Sequence, residues 1–219
     1  MARQQDAFAS ALTSNAAWAG FKGHQDPDFF PSLAAGQSPE ILWLGCSDSR
    51  CPETTIMGLQ PGELFVHRNI ANIISPTDLN TSAVIEYAVS FLGVQHIVLC
   101  GHSCCGGAIA ALSDTSVGQL LDLWLTPLRA VREKCREELE GLKEDAEKAV
   151  RLAERGVEEG VRVLLANRTV RQAVRDRGLK VHGCFFDIER GLVRELSCGT
   201  QTNGTKKEGM VKGEHDAGV

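Results

Sequence analysis

Two short polar clusters interrupt otherwise apolar stretches of the chain: Cys46-Ser47-Asp48-Ser49-Arg50, and His102-Ser103-Cys104-Cys105 followed by Gly106 and Gly107. Between them they offer thiols, an imidazole, a carboxylate and a guanidinium. Two thiolates with one imidazole are one of the known catalytic zinc sets, in which three protein ligands leave a fourth position for water; structural zinc is usually closed by four. His102 and Cys105 form an H-x-x-C pair within one turn. Cys105 stands at the start of the following helical pattern, where the positive end of the peptide dipoles favours thiolate over thiol. Metal binding requires that thiolate. Gly106 and Gly107 let the backbone pass close to whatever fills the open position. Any one of these residues alone reads equally well as core packing, because a free cysteine behaves as a small hydrophobe. Two such clusters at equivalent places favour a metal site built from Cys46, His102 and Cys105.

The elements that must position them are legible as strand, turn and helix in alternation. Residues 41–45 (Ile-Leu-Trp-Leu-Gly) are wholly apolar and suit a strand covered on both faces, and the first cluster follows at once. A second strand is expected at 64–66, after the turn Gln60-Pro61-Gly62. Val84, Ile85, Ala88, Val89 and Leu92 recur at helical spacing up to Gly93. A third strand at 96–100 leads into the second cluster, and an Ala-rich helix begins at Ala108. This is the grammar of a parallel α/β sheet, where ligands bind at the carboxyl ends of strands at the point where the winding reverses. If the strands at 41–45 and 96–100 are neighbours, with 64–66 outside the first, the clusters converge there. The pattern stays helical from 117 to about 166, with ten acidic and eight basic residues between Arg132 and Arg162. Near-balanced charge at this spacing reads as a solvated helical face. A helix at 169–177 and two strands, 180–188 and 192–196, complete the pattern, giving a central mostly parallel sheet of about five strands flanked by helices. Residues 1–198 are read as one domain and 199–219 as a disordered tail.

Composition excludes several classes. The chain has 219 residues, 43% hydrophobic and 23% charged, enough to bury a full core, and its net charge of -5 argues against nucleic acid as a partner. No apolar run reaches a membrane span, and the first forty residues lack a basic segment followed by an apolar one. A cytoplasmic location is expected. A chain of this length does not need disulfide staples, so its eight cysteines fit a reducing compartment. The N-terminal stretch (Ala7, Phe8, Ala11, Leu12, then the breakers Asp26, Pro27 and Pro31) suggests short helices that pack on something else.

The runs C-S-D-S-R at 46–50 and G-H-S-C-C-G-G at 101–107 resemble the paired C-x-D-x-R and H-x-x-C motifs of the β-class carbonic anhydrases. Residues 60–69 (Q-P-G-E-L-F-V-H-R-N) and 85–89 (I-E-Y-A-V) resemble that family in the same order. The resemblance is specific from about 37 to 112 and one of pattern beyond. It implies an α/β fold whose N-terminal helices pack on a partner protomer, in a homodimer or a homotetramer. It assigns Zn2+ to Cys46, His102 and Cys105, and makes Asp48 and Arg50 a carboxylate-guanidinium dyad. The implied activity is that of a carbonate dehydratase: reversible hydration of carbon dioxide to bicarbonate and a proton, by attack of a zinc-bound hydroxide that the dyad orients. In some family members the same carboxylate binds the metal instead. Gln37, Phe65 and Tyr87, with Gly106 and Gly107, would line a narrow substrate pocket contributed by both protomers.

Trp43 and Arg68 occupy positions that bind regulatory bicarbonate in one subgroup. That subgroup has a tyrosine where this chain has Phe186, and a salt bridge for Arg68 is an equal alternative. The competing readings are a non-catalytic zinc scaffold or bicarbonate sensor, and hydrolysis of an analogue such as carbon disulfide. A scaffold has no use for the dyad. His24, His67, His96, His182 and His215 are candidate proton carriers with nothing to choose between them.

Overall fold

A computed structural model describes residues 6–200. Its centre is a five-stranded sheet in the order β2-β1-β3-β4-β5, formed by β1 (Ile41–Cys46), β2 (Leu64–Asn69), β3 (His96–His102), β4 (Lys180–Asp187) and β5 (Leu192–Gly199). The first four strands are parallel; β5 returns antiparallel to β4. β2 lies on one side of β1 and β3 on the other, so the winding reverses between β1 and β3, as the sequence requires if its two clusters are to meet. Their register aligns Leu44 with Leu99 and Gly45 with Cys100, which puts the strand ends Cys46 and His102 side by side.

Strand alternation sorts the side chains onto two faces. Leu42, Leu44, Ile97, Leu99 and Val181 are fully or almost fully buried against Val157, Val161 and Leu164 of a long helix, α8 (Asp145–Ala166). Eight more described helices surround the sheet: α1 (Ala7–Gln25), α2 (Phe29–Ala35), α3 (Glu53–Met57), α4 (Leu79–Glu86), α5 (Gly106–Ala111), α6 (Gln119–Lys134), α7 (Arg136–Glu140) and α9 (Arg168–Arg177). α4 continues into a wider helical turn, Tyr87–Leu92, and Gly93 stops it in the left-handed region.

The charged run at 132–162 is not only a solvated face. In α8, Ala149, Leu152, Ala153, Val157, Gly160, Val161 and Leu164 recur at helical spacing and are buried, so one side of this highly charged helix is core. Even Glu154 is buried, held by Arg151 at 3.0 Å and by Arg194 of β5. Charge counts alone hide this, because the apolar stripe lies between the charges. α8 approaches the sheet so closely that a Cβ on Gly160 would collide with Leu99 and crowd Ile74. Gly160→Ala should therefore destabilise the fold by about 1–3 kcal/mol despite its better helix propensity. A urea melt measures this, and a neutral or raised midpoint would show that the interface relaxes freely.

The N-terminal segment behaves differently from the rest. α1 contributes no buried residue, and Phe8, Leu12 and Phe21 are more than half exposed. Trp18 packs edge-on against Phe29 and Phe30 of α2, and Lys22 Nζ donates to Gln60 Oε1 at 2.8 Å. β5 runs to Gly199, beyond the expected limit, and Thr200 N–H donates to Val181 O. The rest of the expected tail, 201–219, lies outside the described residues, as does His215.

Candidate metal centre

Cys46 ends β1, and the ladder runs one step further through Ser47 N–H to Asn69 O of β2 at 2.9 Å. The chain then turns sharply, with Cys51 N–H donating to Asp48 O, and α3 begins after Pro52. This turn exposes Arg50 while Asp48 stays largely covered. Asp48 Oδ1 accepts from both Arg50 N–H and Nε at 2.9 Å, and Oδ2 accepts from an Arg50 terminal nitrogen at 2.7 Å. That fork holds the carboxyl well below the usual carboxylate range, against the opposing effect of burial. Arg50 also donates to Cys104 O at 3.0 Å, tying the two polar clusters together.

His102 ends β3 and is 2% exposed. Its Nδ1–H donates to Ser103 O at 2.9 Å, which leaves the Nε2 lone pair for another partner, and Nε2 is buried with no hydrogen-bonding partner. Ser103 in turn is pinned to the end of β4: its N–H donates to Phe186 O and its Oγ accepts from Ile188 N–H, both at 2.9 Å. Cys104 takes a left-handed backbone (φ 56°), and this reversal delivers Cys105 to the capping position of α5.

The sulfurs of Cys46 and Cys105 and a ring nitrogen of His102 lie within 4.8 Å of one another, and all three residues are buried. The hydrogen bond from Cys105 stabilises a Cys46 thiolate and takes its pKa down to about 4, while the same bond pushes Cys105 up. A cation bound between two sulfurs this close would displace the proton they compete for. Buried sulfur donors with an unpartnered imidazole nitrogen suit a borderline-soft divalent ion.

The carbonic anhydrase family model matches residues 41–193. A carbonic anhydrase of Emericella nidulans is 47% identical over 84% of this chain and 81% of its own. The chain belongs to the carbonic anhydrase family, in its β class. Among solved structures, a chain of a tetrameric β-carbonic anhydrase from the filamentous ascomycete Sordaria macrospora superposes with a TM-score of 0.89 at 61% identity, over 90% of this chain and 100% of that one. A β-carbonic anhydrase of Aspergillus fumigatus does so at 0.85 and 52%, over 88% of this chain and 91% of that one.

Within this carbonic anhydrase fold the remaining candidates fall into place separately. Phe65 and Tyr87 pack together with ring centroids 5.6 Å apart, and Tyr87 stacks on the exposed Phe91. Gln37 lines a different cleft, with Leu33 and Pro61. Gly107 is needed for packing, since a Cβ there would meet the Ala71 Cβ at 2.7 Å; a Cβ on Gly106 would meet open space. Trp43 and Phe186 share an apolar cluster with Cys51 and Cys100. Arg68 is engaged by the fold: Nε donates to Cys46 O at 2.8 Å, a terminal nitrogen donates to Asp48 O at 2.5 Å, and Glu53 lies 3.7 Å away. The salt-bridge alternative for Arg68 is thus realised. Sequence reading passed over Glu53 and Ser103. Their signals were a carboxylate in the first turn after Pro52 and a hydroxyl between two candidate ligands, both too common to single out.

Proposed function

We propose that this chain hydrates carbon dioxide reversibly to bicarbonate and a proton, with zinc held by Cys46, His102 and Cys105. The observation that carries the reading is the convergence of three buried donors around the unpartnered His102 Nε2. Zinc bound there would lower the pKa of a coordinated water toward neutrality and so supply a nucleophile. Asp48 is ionised throughout the working pH range and accepts the proton of the attacking water in a hydrogen bond, which aims the oxygen lone pair at the carbon. Arg50 holds that carboxylate by both oxygens, which supports a working state in which Asp48 stays off the metal. Ser103 fixes the His102 tautomer.

The test is stopped-flow carbon dioxide hydration by zinc-loaded protein across pH. Activity rising with pH is expected, and zinc-replete protein that is inactive even under alkaline conditions would favour a scaffold. Arg68 positions the loop by gripping the carbonyls of Cys46 and Asp48, so Arg68→Ala should weaken zinc by about 10–100-fold in chelator competition. Arg68→Lys should not restore it, because an ammonium lacks the fork. Unchanged affinity would remove Arg68 from the account.

The assembly we infer is a homodimer or homotetramer. The unpartnered apolar residues of α1 support a second protomer as their cover, and tetrameric relatives support the larger assembly. A cytoplasmic location is consistent with eight cysteines that form no disulfide. No described helix is long and apolar enough to cross a membrane.

A further inference from the structure

At the other end of the sheet from the metal centre, three side chains from adjacent strands form a hydrogen-bonded chain. His96 opens β3, His182 lies near the start of β4, and Glu195 lies on β5. His96 and His102 share a face of β3, but six residues of strand put them roughly 20 Å apart. Register pairs His96 with Lys180 and Val98 with His182, so the two imidazoles meet on the diagonal. Their rings stack at 29° with centroids 5.2 Å apart.

His182 Nδ1 is 2.6 Å from Glu195 Oε1, and His182 Nε2 is 3.0 Å from His96 Nδ1. A carboxylate can only accept, so Glu195 takes the Nδ1–H and leaves the His182 Nε2 lone pair facing His96. Two imidazole nitrogens 3.0 Å apart can both reach one ion at about 2.0–2.1 Å, with an angle near 90° between the bonds. A carboxylate on the far nitrogen of a metal-binding histidine is the usual orienting arrangement. The site is open to solvent: His182 is partly exposed and the Glu195 side chain is 62% exposed, so water can complete the coordination.

We propose that His96 and His182, oriented by Glu195, form a second metal site for a divalent transition-metal ion that favours imidazole nitrogen. The charges around it are mixed. Burial, His182 and Lys180 disfavour positive charge at His96, while Glu40 acts the other way. Lys180 repels a bound cation, which makes this the weaker of the two sites.

The probe is Zn2+, titrated calorimetrically with reducing agent into full-length protein already carrying one equivalent. A second equivalent is expected. His96→Gln and His182→Gln should each lose it while keeping the first equivalent, which also shows that they fold. Glu195→Gln should weaken it by about 10–100-fold. Cys104→Ser, which removes the exposed thiol, should leave it unchanged. The proposal fails if the wild type takes no second equivalent, if the second survives both histidine variants, or if it disappears in Cys104→Ser. Cobalt in the second site gives an independent reading on the wild type alone: a spectrum without thiolate charge transfer supports the histidine pair, and one with it overturns the proposal. The first site's metal content and activity are separate measurements, so failure here leaves the proposed function standing.

Discussion

His102→Ala should leave well under one metal ion per chain and reduce carbon dioxide hydration by several orders of magnitude. His102 supplies the only nitrogen donor in the cluster, and its Nε2 is buried without a hydrogen-bonding partner among the described residues. Removing the ring leaves two buried thiols that share a proton more easily than they hold a dication. Without the ion, water near neutrality is no longer a competent nucleophile. Atomic absorption on the purified variant and stopped-flow hydration check the two halves. Full metal content in His102→Ala would mean that another residue ligates. Full activity would mean that the reaction does not use this centre.

Asp48→Ala separates chemistry from metal holding. Asp48 is not one of the three converging donors, and both its oxygens are engaged by Arg50. The variant should therefore keep about one zinc per chain while kcat falls about 10^2- to 10^3-fold, the scale of losing one preorganised polar group at a reacting centre. Asp48→Asn should behave similarly, because an amide that keeps the shape lacks the anionic acceptor.

The pH profile adds a sign. Arg50 holds the carboxyl depressed, so Asp48 is already ionised well below neutrality and protonates only as pH falls through that lowered value. A rise in activity between mildly acidic and alkaline pH then belongs to the nucleophile and not to Asp48. An Asp48→Ala protein with unchanged kcat, or one stripped of zinc, would each contradict the role given to this carboxylate.

Much of this was readable in advance because the metal centre is local in sequence twice over. Each cluster follows an apolar strand immediately, and a parallel sheet has few ways to bring two strand ends together. The order β2-β1-β3 puts Cys46 beside His102 as the pattern implies. What could not be read is what depends on distant packing. Sequence leaves Arg68 between a ligand-binding role and a salt bridge, and packing spends it on the carbonyls of Cys46 and Asp48. Gly107 looks like room for a substrate and is room for Ala71. The core face of α8 was masked by its own charges, and the pairing of His96 with His182 requires knowing that β3 and β4 are neighbours in a particular register. Strand ends were underestimated for a related reason: polar residues such as His67, Arg68 and Asn69 are drawn into β2 by its partner β1 and not by their own propensity.

Zinc K-edge X-ray absorption on protein carrying one equivalent tests the central claim most directly. Two sulfurs at about 2.3 Å with nitrogen and oxygen at about 2.0–2.1 Å are predicted, and one nitrogen should be lost in His102→Ala. A shell without sulfur, or one of four sulfurs, would contradict a centre built from Cys46, His102 and Cys105.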